Sequence, residues 1–382
     1  MHPDPIPYAG RVYDQREKDA AHRAVEAFWL TEGPECAAFE RELAAKVGCK
    51  KAILCNSGSS ANLLAVSALD LKPGDEVITC ALGFPTTAAP IIQCGATAVF
   101  VDCDAQTLNI SPALIADAWT EKTRAVIAAH TLGNPCNALW LSLWCEEHGA
   151  AYIEDNCDAL GSTYMGRPTG SLGDLATQSF YPAHHITCGE GGAILCNNTK
   201  YARRITSLRD WGRDCWCATG KSDTCGRRFA GDYDHKYTYS DLGYNLKLGD
   251  IAAAIGRVQL SKLDEFTAAR RRNWQTLADA LPFEHQQPTA NSVPSWFAFA
   301  FRHPQRNKLA QHLEANGIGC RMPFGGNLTR QPAFQKCKDR WRVHGTLDNA
   351  NQVMDEWLFC GCFPGLTDQH LERMIDTIKA FS

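Results

Sequence analysis

The sequence predicts an α/β protein whose main sheet is mostly parallel. Between about residues 50 and 200, short β-branched segments alternate with amphipathic segments. This alternation is typical of strand–helix–strand units in which helices cover both faces of a parallel sheet. The chain has 382 residues, of which 45% are hydrophobic and 21% charged. It can therefore bury a large core, and its composition excludes a disordered chain.

Seven strands are predicted for the main sheet, each a short apolar segment bounded by polar or turn-forming residues. They are residues 51–55, 76–80, 96–101, 124–128, 150–154, 176–180 and 193–196. Helices are expected between the earlier strands, at residues 61–69, 112–119 and 141–148. This order predicts a seven-stranded sheet with helices on both sides.

The pattern changes after residue 249. A helical stretch at residues 250–281 leads into a region with fewer strand signals, where residues 296–301 predict a strand and residues 366–381 a closing helix. We therefore expect a large domain over residues 1–254 and a smaller α+β domain over residues 255–382.

Charge and hydropathy exclude several classes of protein. Lys and Arg number 38 and Asp and Glu 42, which gives a net charge of −4, and no basic block stands out. We therefore expect neither nucleic acid nor a charged membrane surface as a partner. The first residues show no secretory pattern, and no apolar run approaches the roughly 18 residues of a membrane span. A cytoplasmic protein is expected.

Residues 56–62, Asn-Ser-Gly-Ser-Ser-Ala-Asn, follow the first strand and open a helix. Gly58 permits close approach to the backbone, and Ser59 offers a hydroxyl beside the unpaired N–H groups of the helix N-terminus. This combination can bind a phosphate. The alternative is an ordinary helix cap without a ligand.

A carboxylate and a histidine pair follow two later strands. Asp155 ends the strand Tyr-Ile-Glu-Asp, at the edge of the sheet where α/β proteins bind cofactors, although it can also simply cap a turn. Residues 179–192 contain His184, His185 and a Gly-Glu-Gly-Gly turn. Adjacent residues of an extended segment point to opposite sides, so at most one of these histidines is expected in a site.

Eighteen cysteines are unusually many for an intracellular chain of this length. Cys215, Cys217 and Cys225 lie within eleven residues of one another. They belong to a polar, Gly-rich segment, residues 209–232, which we call the cysteine loop. Core cysteines are expected at strand or helix spacing, and these are not, so a metal site is predicted. The spacing does not separate zinc from an iron–sulfur cluster.

Taken in order, these motifs resemble the sugar aminotransferases of the DegT/DnrJ/EryC1/StrS family. That resemblance implies a fold type I pyridoxal-phosphate (PLP) transferase. The family carries its Schiff-base lysine two residues after the proline of the Ser-Phe-x-Pro turn, and in this chain that position is His184. Residues 179–199 contain no lysine.

The histidine and the segment SFYPAHHIT resemble the 3-dehydratases of nucleotide-4-keto-6-deoxysugars. The cysteine loop is similar to that of their iron–sulfur branch, typified by CDP-6-deoxy-L-threo-D-glycero-4-hexulose 3-dehydrase. That branch has a further cysteine 57 intervening residues upstream, which here is Cys157. The resemblance thus implies a [2Fe–2S] cluster on Cys157, Cys215, Cys217 and Cys225, with Cys188 and Cys196 as alternatives to Cys157.

The resemblance also implies roles for the other candidates. Gly58, Ser59 and Ser179 would bind the cofactor phosphate. Asn245 would reach it from the neighbouring subunit, so a homodimer is expected. Phe84 would stack on the pyridine ring, and Asp155 would pair with its nitrogen. Arg330 is a candidate partner for the substrate diphosphate, although an ordinary surface salt bridge is the alternative.

The implied activity is a pyridoxamine 5′-phosphate (PMP)-dependent removal of the C3 hydroxyl from a CDP-, dTDP- or GDP-linked 4-keto-6-deoxyhexose. His184 would act as the base, with Tyr181 as a second candidate. An NADH-dependent flavin and iron–sulfur reductase would supply electrons as a separate partner. Two alternatives stay open: a cluster-free dehydratase that uses glutamate, and an inactive relative that binds zinc.

Overall fold

The computed structural model describes residues 4–215, 217 and 220–381. The α-helices are α1 (Gln15–Ala27), α2 (Pro34–Val47), α3 (Gly58–Ser67), α4 (Pro85–Gln93), α5 (Pro112–Ala118), α6 (Ala138–Glu147), α7 (Ala202–Arg209), α8 (Asp250–Ser261), α9 (Leu263–Ala280), α10 (Arg306–Ala315), α11 (Pro332–Gln335), α12 (Asp348–Glu356) and α13 (Asp368–Ala380). The strands are β1 (Lys51–Cys55), β2 (Glu76–Cys80), β3 (Thr97–Val101), β4 (Thr123–Ala129), β5 (Ala151–Asp155), β6 (Thr163–Tyr164), β7 (Arg167–Pro168), β8 (Leu175–Ser179), β9 (Gly192–Cys196), β10 (Ser292–Val293), β11 (Ala298–Arg302), β12 (Cys320–Arg321), β13 (Trp341–Val343) and β14 (Trp357–Gly361).

The large sheet has the strand order β1-β9-β8-β5-β4-β2-β3-β13 in the described residues. Only β9 runs antiparallel to its neighbours, β1 and β8. All seven predicted strands are present within one residue of their expected bounds. Strands β2, β5, β8 and β9 are buried along their whole length, because helices cover both faces of the sheet. The predicted α/β fold with a mostly parallel sheet is therefore confirmed.

The sheet has an eighth strand that the sequence pattern did not indicate. Strand β13 pairs in parallel with β3 at the edge. It is held there by Trp341, whose ring meets Phe100 edge-on with centroids 5.8 Å apart, and by Arg342, which pairs with Glu76 at 2.8 Å. Three residues are too few to show an alternating pattern, so packing rather than periodicity reveals this strand.

A second sheet lies in the C-terminal part of the chain. Strands β11, β14 and β12 form it, with β14 in the centre and antiparallel to both neighbours. The predicted helical stretch at residues 250–281 is two helices, α8 and α9, separated at Lys262, whose buried ammonium pairs with Glu17. The domain boundary after residue 254 falls inside α8 and stays a prediction. Among the described helices, none combines the length and apolar character needed to cross a bilayer.

Candidate active site

A cavity of about 500 Å³ opens at the carboxyl ends of the parallel strands. It is the place where open α/β sheets bind ligands, because loops from neighbouring strands converge there. Eight of the predicted site residues line it: Gly58, Ser59, Phe84, Asp155, Cys157, Ser179, Tyr181 and His184.

One end of the cavity is built as an anion site. Ser57 caps helix α3 by accepting a hydrogen bond from the Ser60 N–H. The remaining N–H groups of this first turn carry the positive end of the helix dipole. A Cβ on Gly58 would lie 2.6 Å from Ser179 Cβ, so only glycine allows the helix to start this close to β8. The Ser59 hydroxyl donates a hydrogen bond to the Thr86 hydroxyl at 3.0 Å, and both residues line the cavity.

Asp155 accepts three close hydrogen bonds, and the Thr177 hydroxyl lies 3.5 Å from its Oδ1. Asn62 and Thr87 donate to its Oδ2 at 3.0 and 2.7 Å, and the backbone N–H of Cys157 donates to its Oδ1 at 3.2 Å. An ionised carboxylate has about four acceptor positions, so capacity remains for a donor in the cavity. Asn62 and Thr87 were not singled out from the sequence. Asn62 lies one helical turn after Gly58, which is the signal that could have identified it.

The two adjacent histidines differ in their surroundings. His184 lines the cavity, and its Nδ1 lies 3.2 Å from Asp158 Oδ1. His185 is buried, and its Nε2 donates to the Ser295 carbonyl at 2.7 Å. Burial holds the pKa of His185 well below its ordinary value, so this ring is neutral. The structure therefore places one of the two histidines in the cavity, although both lie in a turn between β8 and β9 rather than in a strand.

Asp158 was missed by sequence reasoning. Burial raises the pKa of its carboxyl, while the hydrogen bond and charge of the neighbouring His184 act in the opposite direction. A carboxylate at this distance can fix the orientation of an imidazole. Tyr181 lies next to the pair, with its ring 6.4 Å from that of His184 and edge-on to it.

The open side of the cavity is aromatic and carries one arginine. Phe84 is 52% exposed and meets Phe324 edge-on, with ring centroids 6.5 Å apart. Arg321 lines the cavity, with its guanidinium 4.3 Å from the Tyr8 ring centroid. Arg330 does not line the cavity. It forms an exposed ion pair with Asp355 at 3.0 Å, which is the alternative that the sequence left open.

The cysteine loop lies apart from this cavity and has little regular structure. Its three predicted ligands are free thiols. The ligand atoms of Cys215, Cys225 and His235 all lie within 4.8 Å of one another. A hydrogen bond with the Thr224 side chain, together with contacts to Cys225 and Cys215, lowers the pKa of Cys217 to about 6. A thiol that ionises this readily is suited to bind a metal.

Of the four predicted ligands, only Cys215 and Cys225 belong to the group of adjacent ligand atoms. Cys157 does not belong to the group of adjacent ligand atoms, and its sulfur lies 3.0 Å from the position that a Cβ on Gly58 would take. The alternatives are also elsewhere: Cys188 donates to the Glu190 carbonyl, and Cys196 is buried in β9. The four-cysteine set that the resemblance implies therefore stays a prediction. Spacing along the chain carries no information on which side of the sheet a thiol faces.

Asn245 is exposed and does not line the cavity of its own chain. Its side-chain oxygen accepts a hydrogen bond from Lys247 at 2.8 Å, and its backbone pairs with Asp210 at the start of the cysteine loop. Its predicted contact with the cofactor of a neighbouring subunit stays a prediction.

Comparisons with known proteins agree on one family. The profile of the DegT/DnrJ/EryC1/StrS aminotransferase family matches residues 12–379. The chain is 46% identical to the dTDP-4-dehydro-2,6-dideoxy-D-glucose 3-dehydratase of Saccharopolyspora spinosa, over 99% of this chain and 86% of that protein. It is 44% identical to the lipopolysaccharide biosynthesis protein RfbH of Salmonella typhimurium, over 98% of this chain and 91% of that protein.

Among solved structures, the chain is similar to a GDP-4-keto-6-deoxymannose-3-dehydratase with a trapped PLP–glutamate geminal diamine. The TM-score is 0.87 and the identity 30%, over 98% of this chain and all of that one. The fold is thus that of the fold type I PLP-dependent transferases. Within that class, the chain belongs to the DegT/DnrJ/EryC1/StrS aminotransferase family.

Proposed function

We propose that this protein removes the C3 hydroxyl of a nucleotide-linked 4-keto-6-deoxyhexose, by dehydration followed by reduction. The observation that carries the proposal is His184. It occupies the position of the Schiff-base lysine in the resembling aminotransferases, and it faces the cavity beside Asp158. A histidine cannot form the covalent link to PLP that the lysine forms, but it can still move a proton. Two similar proteins are named as 3-dehydratases, which supports the proposed activity.

The cavity fits PMP by the chemistry of its donors. The N-terminus of α3 with Ser59 and Ser179 would hold the phosphate, and Asp155 would hold a proton on the pyridine nitrogen. Phe84 would cover one face of the ring. When bound, PMP supplies an amine for the C4 ketone of the sugar and a ring that accepts electron density.

The residues around His184 would handle the protons. His184 would take a proton from the C4′ carbon of the cofactor and return one to the departing C3 hydroxyl. Asp158 would act as a positioning residue, because its carboxylate stands at the other nitrogen of the ring. Tyr181 is the second candidate donor to the hydroxyl, since its phenol borders the same cavity.

Reduction requires two electrons after water has left. The thiols of Cys215, Cys217 and Cys225 would hold a [2Fe–2S] cluster, which supplies electrons one at a time. The sequence contains no Gly-x-Gly-x-x-Gly fingerprint for a dinucleotide. A separate NADH-dependent flavin and iron–sulfur reductase is therefore part of the proposal.

The substrate contacts divide between two chains in this proposal. Arg321 is the described cationic side chain at the cavity mouth and would meet the diphosphate of the CDP-, dTDP- or GDP-sugar. Asn245 would complete the phosphate site of the partner in a homodimer. A dTDP-sugar dehydratase is among the similar proteins, which favours a dTDP-linked substrate.

A cluster-free dehydratase that regenerates its amine from glutamate is the second candidate. One observation favours it: a structure of a similar 3-dehydratase holds a PLP–glutamate adduct. A zinc-binding relative without activity is the third candidate, because the adjacent ligand atoms of two thiols and a histidine also suit zinc.

Anaerobic purification separates these candidates. The visible spectrum, iron, acid-labile sulfide and zinc of the full chain would be measured together. We expect a red-brown protein with about two iron and two sulfide per chain. Near-stoichiometric zinc without sulfide would contradict the cluster. A metal-free protein that turns over with glutamate would establish the second candidate instead.

A further inference from the structure

The backbone of His184 is held by a buried arginine of helix α9. This residue, Arg270, is 1% exposed. Its Nη2 donates to the His184 carbonyl at 3.0 Å, and its Nη1 donates to the carbonyls of Trp296 and Phe297 at 3.2 Å. One guanidinium therefore joins the turn that carries His184 to the segment just before β11.

Both of these segments contribute to the surroundings of the His184 imidazole. The Phe297 ring lines the cavity, and its centroid is 5.5 Å from that of the His184 ring. On the side of the turn itself, the Asp158 carboxylate lies 3.2 Å from His184 Nδ1. The direction of the imidazole therefore depends on how the turn packs against the segment before β11, and Arg270 fixes that packing.

A charged side chain is an unfavourable choice for a contact that only stabilises the fold. Burial lowers the pKa of Arg270, although the neighbouring Cys362 and Asp158 side chains oppose this. Asn273, three residues later on the same helix, binds the Cys362 and Phe363 carbonyls with a neutral amide at 3.3 and 3.0 Å. Burying a charge costs more than burying an amide. A role at the active site accounts for the guanidinium better than a structural role alone.

We propose that Arg270 is a positioning residue of the dehydration step, which holds the His184 carbonyl so that the imidazole faces the cofactor cavity. Arg270 does not line the cavity, so it acts through His184 and contacts neither cofactor nor substrate. A displacement of a reacting group by about 1 Å can cost about 100-fold in rate. The proposal rests on the base that the proposed function assigns to His184, but it concerns a different residue.

Exchange of the C4′ hydrogen of PMP with deuterated water, measured on the full chain, tests this role. In Arg270→Met, which keeps a long side chain without donors, exchange should fall about 10–100-fold. Arg270→Lys keeps the charge and part of the donors, so its rate should lie between those of Arg270→Met and the wild type. PMP affinity should stay within about twofold in both variants. Arg271→Met is the matched control, since Arg271 also donates to three backbone carbonyls but not to that of His184.

A second substitution separates positioning from a loss of folded protein. If Arg270 acts through His184, Arg270→Lys should slow exchange in the wild-type chain and have almost no further effect in His184→Asn. A general loss of folded protein would lower exchange by the same factor in both backgrounds. A crystal structure of Arg270→Lys gives a measurement independent of activity. In it, the distance from His184 Nδ1 to Asp158 Oδ1 should exceed the 3.2 Å of the wild type.

Several results would overturn the positioning role. One is exchange at the wild-type rate in Arg270→Lys and, if it folds, in Arg270→Met. Others are equal losses in the two backgrounds, or an unchanged contact between His184 and Asp158 in the crystal. Wild-type exchange in the single variant His184→Asn would contradict the proposed function itself, because the base would then be another residue, and the role of Arg270 would fail with it.

Discussion

The cofactor cavity and the cysteine loop are built by different physical means. The cavity lies at the ends of strands buried on both faces, and the polar groups at its base are nearly inaccessible, with Asp155 6% and Ser179 7% exposed. The cysteine loop has no strand in its described residues; Phe229 in the loop is 75% exposed, and Tyr233 just after it is 73% exposed. The loop is held by local contacts between charged side chains, such as the ion pair of Arg228 with Asp234 at 3.0 Å. Chemistry at the cavity should therefore be separable from chemistry at the loop.

The largest effect is expected from His184→Asn, which removes the proposed base and keeps a residue of similar size. Loss of general base catalysis should lower dehydration by about 10²–10⁴-fold. Exchange of the C4′ hydrogen of bound PMP with deuterated water is the measurement. Iron content should not change, and exposed His22→Asn serves as the control. Exchange at the wild-type rate would show that another residue is the base.

A substitution in the cysteine loop should abolish the reduction step and leave the dehydration step intact. Changes around a metal ligand cost about 10–100-fold in metal affinity, so loss of the ligand itself in Cys217→Ser should cost at least as much. Formation of 3-deoxy sugar should stop while C4′ exchange continues. Cys337→Ser, a thiol bonded to the Ala333 carbonyl, is the matched control. Reduction that persisted in Cys217→Ser would refute the separation of the two regions.

The Asp158→Asn variant tests whether Asp158 orients the imidazole of His184. Loss of a charge-assisted contact is worth about 1.5–3 kcal/mol, or roughly 10–150-fold in rate. We expect kcat to fall by that factor with little change in KM, since Asp158 is placed to act on His184 rather than on the sugar. An effect confined to KM would instead mean that Asp158 binds substrate.

Gly58→Ala tests the crowding at the phosphate end. The new methyl group would lie 2.6 Å from Ser179 Cβ and 3.0 Å from the Cys157 sulfur. Such overpacking costs about 1–3 kcal/mol, and the cofactor affinity should fall roughly 5–150-fold. In Gly231→Ala the added methyl group meets nothing within 4 Å, so that variant should bind PMP normally. Equal affinities of the two variants would show that the tight approach is irrelevant to binding.

The smallest effect is expected from Arg330→Ala. Exposed ion pairs like that of Arg330 with Asp355 contribute about 0–1 kcal/mol. KM for the nucleotide sugar should therefore change less than about fivefold. Arg321→Ala, which removes the cation at the cavity mouth, should raise KM more. A larger rise in KM for Arg330→Ala than for Arg321→Ala would instead identify Arg330 as the diphosphate ligand.

The sequence revealed the fold well because short, largely apolar strands and their flanking turns are local features. It did not reveal β13, since Trp341 and Arg342 are held by contacts with residues more than 200 positions away. In the site, motifs identified Gly58, Asp155 and His184, because each follows a strand. The side chains that hold these groups in position belong to no local sequence motif, so the sequence did not identify them.

The metal ligands of the cysteine loop could be predicted only in part from the spacing of cysteines along the chain. Three cysteines close together in the chain are close together in the structure as well. The fourth predicted ligand, Cys157, lies in the cavity, because residues that follow β5 face the cofactor end of the sheet.

The central claim is that elimination of water and reduction are separate steps. The most direct test of this claim asks which added compound supplies the electrons for reduction. The anaerobic chain, loaded with PMP, would be mixed with dTDP-4-keto-6-deoxyglucose, with either dithionite or glutamate as the only addition. The account predicts 3-deoxy sugar with dithionite, and none with glutamate. Deoxy sugar formed with glutamate alone, at the same yield in Cys217→Ser, would contradict it.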